Sequence, residues 1–366
     1  MKKGFCLLFV FCCILCFAAC AGNKNPEDFD DSSIMDDAKL DKSSGFLYSK
    51  TDDAITIEGY AGDEEIVVIP DEIANKPVKC ISTIESEAPI KEITLSKNVE
   101  ELSGTSFTRL ESLEKINVDE NNPNYSSIDG VLFSKNYADL LVFPSAKNVK
   151  SYTTPDGTSI INFNSFYKVK YLETLIIGDG VTLIAENSIC QCENLKEIQL
   201  SKTVNIEYTS AVHDSFNTNP NLKLFTLDEN NPYLSVVDGV LLDKEQKFLI
   251  SCPPMNEIKD GKLILPDAVE TIGPSAFYDC DSVKEVVLSA NLKKIASQGF
   301  SFSGIEKITI PTSVEFIDVS AFSSAENLKE VNFEGTVEQW SNIQVSDYNE
   351  PLLQNGVNCT DGKVTQ

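Results

Sequence analysis

The chain has 366 residues, 42% hydrophobic and 23% charged, an ordinary globular composition long enough for one extended domain or two compact ones. Fifty-six acidic residues against 30 basic ones give a net charge of −26, which repels nucleic acid and anionic lipid headgroups and sets both aside as partners. One histidine, His213, leaves a single imidazole for acid–base or metal chemistry.

In chain order, residues 1–19 read as an export signal. Lys2 and Lys3 form its positive start, and Phe5 to Ala19 its apolar run. That run is short of the roughly 20 residues that span a bilayer. Phe17-Ala18-Ala19-Cys20 resembles a bacterial lipobox, with Phe17 where leucine is more usual. The resemblance implies that the Cys20 thiol is acylated and becomes the mature N-terminus; an ordinary cleaved signal and an uncleaved anchor are the alternatives. Loss of Lys2 and Lys3 takes the net charge from −26 to −28. The folded part then keeps Cys80, Cys190, Cys192, Cys252, Cys280 and Cys359. Residues 20–45 read as an acidic flexible tether, since their scattered apolar groups cannot bury enough surface to order it.

From there the sequence repeats. Leu263-Ile264-Leu265-Pro266, Val269, Ile272, Ala276-Phe277, Cys280 and Val283 match Ile308-Thr309-Ile310-Pro311, Val314, Ile317, Ala321-Phe322, Ala325 and Leu328. Strand start to phenylalanine position is 14 residues, and from there to the next strand usually 9, a period of 23. Each unit opens on an apolar-x-apolar triplet, the signature of a short strand with one face inward. Triplets start near Val67, Ile93, Ile116, Tyr152, Leu175, Ile198, Phe225, Leu263, Val286, Ile308 and Val331. No single unit can bury its apolar groups alone, so the units must stack. The coil from Ile198 to Phe216 carries four extra residues near His213.

A second repeat lies over the first, at an offset of 109. Asp119-Glu120-Asn121-Asn122-Pro123 recurs as Asp228-Glu229-Asn230-Asn231-Pro232, and Asp129-Gly130-Val131-Leu132 as Asp238-Gly239-Val240-Leu241. These predict β-hairpin inserts at about 119–144 and 228–254.

The spacing, the Ala-Phe-x-x-Cys element, the inserts, the opening Ile57-Glu58-Gly59-Tyr60-Ala61-Gly62 and the closing Phe333-Glu334-Gly335-Thr336-Val337-Glu338-Gln339-Trp340 resemble the BspA-like leucine-rich repeat surface protein family. The resemblance covers about residues 46–366. It implies a mainly β repeat solenoid: a right-handed leucine-rich-repeat superhelix with short strands, short helical or 3-10 turns and two β-hairpin inserts. A β-helix is the competing solenoid. Caps are expected at about 46–70 and 334–366, the second with a hairpin turned at Asp361-Gly362. Trp340 is expected to seal the last coil.

No candidate chemistry stands out. Position-matched to Cys280 are Leu110, Val169, Cys192, Ser303 and Ala325, which reads as a core slot, with a disulfide or metal as the alternative. The period places Cys80, Cys252 and Cys359 beside no evident partner. His213 lies in Ala211-Val212-His213-Asp214-Ser215, which reads as a solvated loop. The Asp119 and Asp228 runs lack the ligand spacing of an EF-hand and read as turn residues rather than calcium ligands. No catalytic residue, metal or cofactor is assigned, and an enzyme is the least favoured class.

The remaining candidate is the outward face of the strands: Glu92, Thr94, Lys115, Asn117, Glu197, Gln199, Glu285, Val287, Lys307, Thr309, Glu330 and Asn332. Its charges alternate and it lacks an aromatic stripe. A merely solvated face is the plain alternative. The resemblance implies adhesion to a host or bacterial surface protein by an exported, lipid-anchored, surface-exposed chain on the bacterial cell envelope. A glycan-capture or envelope-structural lipoprotein is the alternative.

Overall fold

The computed structural model describes residues 38–206 and 216–365. Cys20 and His213, and with them the export signal and most of the expected tether, lie outside the described residues. The chain divides into two compact units. One runs to Lys147 and takes in Phe163–Lys168; the other holds Asn148–Asn162 and everything from Val169.

Both units are built of short strands stacked in parallel, one coil on the next. In the first, Ile66–Val68, Glu92–Leu95 and Lys115–Val118 form one sheet, with Val67, Ile93 and Ile116 in register and buried. In the second, Ser151–Thr153, Thr174–Ile177, Glu197–Leu200 and Leu224–Leu227 form a four-stranded sheet. Lys262–Ile264, Glu285–Val287, Lys307–Ile310 and Glu330–Phe333 then lead a separate sheet closed by Val357–Cys359 and Gly362–Val364. All eleven sequence triplets begin in these strands. The second apolar pair of each coil forms a further parallel row, Thr271–Ile272, Lys294–Ile295, Phe316–Ile317 and Gln344–Val345. Among the described residues, helix is limited to the 3-10 turn Lys259–Gly261 and the four-residue helices Val337–Trp340 and Glu350–Leu353. None is long and apolar enough to cross a membrane.

The Ala-Phe turns close each coil by stacking. Phe277, Phe300 and Phe322 lie ring on ring at 4.6 and 5.1 Å, with planes 10° apart. The backbone follows the rings: Phe277 N–H donates to Gly299 O and Phe300 N–H to Ala321 O, both at 2.7 Å. Chain direction reverses through left-handed residues, Ser275, Gln298 and Ser320 before the aromatic and Asp279, Phe302 and Ser324 after it.

Each insert is a three-stranded antiparallel meander rather than the expected hairpin. Tyr125–Ile128, Val131–Ser134 and Asp139–Val142 make the first; Leu234–Val237, Val240–Asp243 and Phe248–Ser251 the second. The second apolar run of each copy supplies the third strand. Asp129-Gly130 and Asp238-Gly239 have φ of 49° and 82°, and 49° and 78°, the paired positive values of a type I′ turn. The repeated Asn-Asn-Pro has a structural use. Buried Asn122 donates to Ser96 O and Val99 O at 2.8 and 3.0 Å and accepts from Asn124 and Tyr125 N–H at 2.8 and 2.9 Å. Asn231 repeats all four bonds.

Two boundaries differ from the sequence reading. Lys39–Leu40, inside the expected 20–45 tether, pairs with Phe46–Lys50, because Asp41 accepts from Ser43 and Ser44 and turns the chain back. The C-terminal hairpin pairs Cys359 with Gly362, so Thr360-Asp361 form the turn and Gly362 starts the strand. Trp340 is buried, 5.3 Å from Phe333 at 72°, on a helix whose Thr336 and Gln339 form a reciprocal capping box.

Candidate functional site

Alternation along each strand positions the outward face. Ile93, Ile116, Ile198, Val286, Ile308 and Val331 point inward, so their neighbours must point out. The twelve expected face residues are all half-buried or exposed. Parallel in-register pairing turns them into columns.

In the first unit, Glu92 stands beside Lys115 and Thr94 beside Asn117. The ammonium of Lys115 is 3.8 Å from Glu92, and Asn117 donates to the same carboxylate at 3.5 Å. In the second unit, Glu197 accepts from Gln199 at 3.1 Å and from Thr226 at 2.7 Å. The sheet led by Lys262–Ile264 holds a column of four alternating charges. Lys262 pairs with Glu285 at 2.8 Å and Lys307 with Glu330 at 3.2 Å, and Glu285 and Lys307 are register partners. Beside it run Ile264, Val287, Thr309, Asn332 and Asn358, with Asn358 donating to Asn332 and Asn332 to Glu330. The result is a ruled surface of alternating charge with a small apolar and amide lane. Such exposed pairs add little stability.

Two other rows carry ion-pair ladders, one coil per rung. Ahead of Thr174–Ile177, Glu173 sits between Lys196 at 2.7 Å and Lys150 at 2.9 Å, and ahead of Thr271–Ile272, Glu270 sits between Lys247 at 3.0 Å and Lys293 at 3.1 Å. Hydrogen bonds from Lys196 and then Lys150 lower the Glu173 carboxyl to about 2.

The cysteines are mainly core. Cys190, Cys192, Cys252 and Cys280 are buried, Cys80 and Cys359 half-buried. Burial pushes the Cys192 thiol up to about 12. Contrary to the period argument, Cys252 has a close neighbour, with its Sγ 3.6 Å from that of Cys280. The insert shifts Cys252 off the 23-residue repeat, which hid the contact. Asp119 and Asp228 accept from Asn121 and Asn230 within their turns, each at 2.8 Å from the backbone N–H. Among the described residues no group of three or more His, Cys, Asp or Glu side chains is arranged to hold a metal ion.

Sequence reasoning missed a groove in the second unit, about 660 Å³ in volume, bordered by Lys223, Leu224, Asn256, Lys259, Leu263 and Ile264. Its signal was present as mismatches between the two inserts at offset 109.

A family model for the BspA type leucine-rich repeat region matches in six copies, over residues 82–149, 141–236 and 255–348. No curated protein matches the chain. Among solved structures, a leucine-rich cell surface protein from Faecalibacterium prausnitzii A2-165 is similar at a TM-score of 0.58 and 20% identity, over 86% of this chain and 87% of that one. The pneumococcal vaccine antigen PcpA is similar at 0.53 and 14% identity, over 90% and 98%. At these identities the likeness is one of fold.

Proposed function

The chain belongs to the BspA-type leucine-rich repeat family, and from that premise we propose that it is an exported surface lipoprotein, anchored through Cys20, whose strand face binds a partner protein. The reading assigns it no catalysis. The observation that carries it is the Lys262, Glu285, Lys307 and Glu330 column with its lane of Val287, Thr309 and Asn332, an exposed pattern spaced by the in-register pairing of its strands. Alternating charges make poor hydrophobic glue but good selectors, because a mismatched partner meets like charges. The absence of an aromatic platform among the expected face residues favours a protein over a sugar ring. Surface location is supported by the Faecalibacterium structure, itself described as a cell surface protein, and by the lipobox resemblance.

The test is binding of the full chain to arrays of purified host and bacterial surface proteins and, in parallel, to a glycan array. Saturable protein hits without glycan hits support adhesion. Glycan hits alone select the glycan-capture reading, and turnover in a broad hydrolase screen would restore an enzyme.

A further inference from the structure

The two inserts share sequence, yet they treat the strand before them differently. In the first, the Asp129-Gly130 turn folds onto Lys115–Val118. The Ile116 N–H donates to Gly130 O at 2.9 Å, and Ser127 Oγ donates to Ile116 O at 2.6 Å. The strand's free edge is thereby closed. At offset 109, Ile116 becomes Phe225, Lys115 becomes Leu224 and Ser127 becomes Val236. Valine has no hydroxyl to give, and no backbone hydrogen bond joins Phe225 to Gly239. Asp238 O accepts from Asn256 at 3.0 Å, as Asp129 O in the first insert accepts from Lys147 at the matching position.

The groove opens in the space so left. On one side lies Leu224–Leu227, the last strand of its sheet, which among the described residues pairs only with Glu197–Leu200. On the other lies Lys262–Ile264, the first strand of the next sheet, which among the described residues pairs only with Glu285–Val287. Two unpaired strand edges bordering one cavity form a template for an added strand. Leu224 and Ile264, 45% and 61% exposed, offer apolar contacts for alternate side chains. Asn256 is buried, and its Oδ1 accepts no hydrogen bond among the described residues, so an acceptor is left for an incoming N–H.

Lys196, Lys223, Lys259 and Lys262 border the groove with Glu197, Asp238 and Glu257. Lys196, Lys223 and Lys262 are paired with Glu173, Glu257 and Glu285. Lys259 is exposed and makes no ion pair among the described residues.

We propose that this groove receives an extended acidic segment of a partner protein as an added strand along Leu224–Leu227, its carboxylates turned to Lys259. The proposal rests on the protein-binding reading and names a second contact for it. The probe is a fluorescent peptide of alternating valine and aspartate, titrated into the full chain and followed by anisotropy. Saturable binding is expected, weakened by salt as a charged contact must be. A valine–lysine peptide should not bind. Lys259→Glu should weaken binding at least fivefold. Leu224→Lys with Val236→Ser, which restores the residues of the first insert, should weaken it more than tenfold. Unchanged circular dichroism would show that both variants fold. Lys307→Glu with Glu330→Lys, a pair of the strand face outside the groove, should leave peptide affinity alone. Undiminished binding to the Leu224/Val236 variant, or no saturable binding, overturns the proposal. Binding of polygalacturonate but not peptide also overturns it, making the groove a glycan site. Loss only in the Lys307/Glu330 variant removes the groove from the account but leaves the strand face as the protein-binding surface.

Discussion

Phe300→Ala tests whether ring stacking holds the coils of the second unit together. Phe300 is fully buried between Phe277 and Phe322, with both rings about 5 Å away and nearly parallel. Truncation removes roughly 150 Å² of buried apolar surface, which at about 25 cal/mol per Å² costs about 4 kcal/mol. The cavity and the two lost ring contacts move the expected loss to about 5 kcal/mol, the upper end for such changes. Phe277→Ala loses one of these ring contacts and should cost about 1 kcal/mol less. The Phe300/Phe322 double variant should be less destabilised than the sum of the singles by about 1 kcal/mol, the shared ring contact. Urea unfolding at 25 °C followed by Trp340 fluorescence and far-UV circular dichroism reads these values. Trp340 is the only tryptophan and packs in the same core as the three rings. A Phe300→Ala loss under about 2 kcal/mol, or a double variant with no coupling, would refute the stacking argument.

Three further outcomes follow from the same physics. Asn122→Ala leaves four backbone groups without their partner and should cost about 3 kcal/mol by urea unfolding; a loss below about 1 kcal/mol would mean that water replaces the amide freely. Glu173 has a folded pKa of about 2, below its usual 4.5, so its stabilising share is present above pH 4.5 and lost as pH falls through 2. The midpoint difference between wild type and Glu173→Gln should accordingly be small, salt-sensitive and gone below pH 2; a gap that widens in acid would contradict this. At pH 8 iodoacetamide should modify half-buried Cys80 well before Cys192, whose thiol burial pushes up to about 12; equal rates by mass spectrometry would contradict the packing.

The coils were legible because one inward residue per strand is compulsory. Ile93 with Ile116, Leu175 with Ile198 and Ile308 with Val331 pair in register 23 residues apart, as their spacing required. The outward columns followed from the same alternation. Other features depend on contacts that periodicity does not encode. Lys39–Leu40 is too short and polar to announce a strand, and forms one because Asp41 turns the chain. The two inserts part at the strand before them, where Ser127 donates to Ile116 O in one copy and Val236 has no hydroxyl to give in the other. The Cys252–Cys280 contact needed the path of the meander, which brings the Cys252 N–H to Ala276 O.

The central claim is that the strand face selects a protein partner. The most direct measurement is the dissociation constant of an array-identified surface protein for three chains: wild type, Glu285→Lys with Lys307→Glu on the face, and Glu270→Lys with Lys293→Glu on the ladder ahead of Thr271–Ile272. The account predicts at least tenfold weaker binding for the face variant, about 1.4 kcal/mol, and a change under about twofold for the ladder variant. Equal effects from the two, or none from the face, would contradict it.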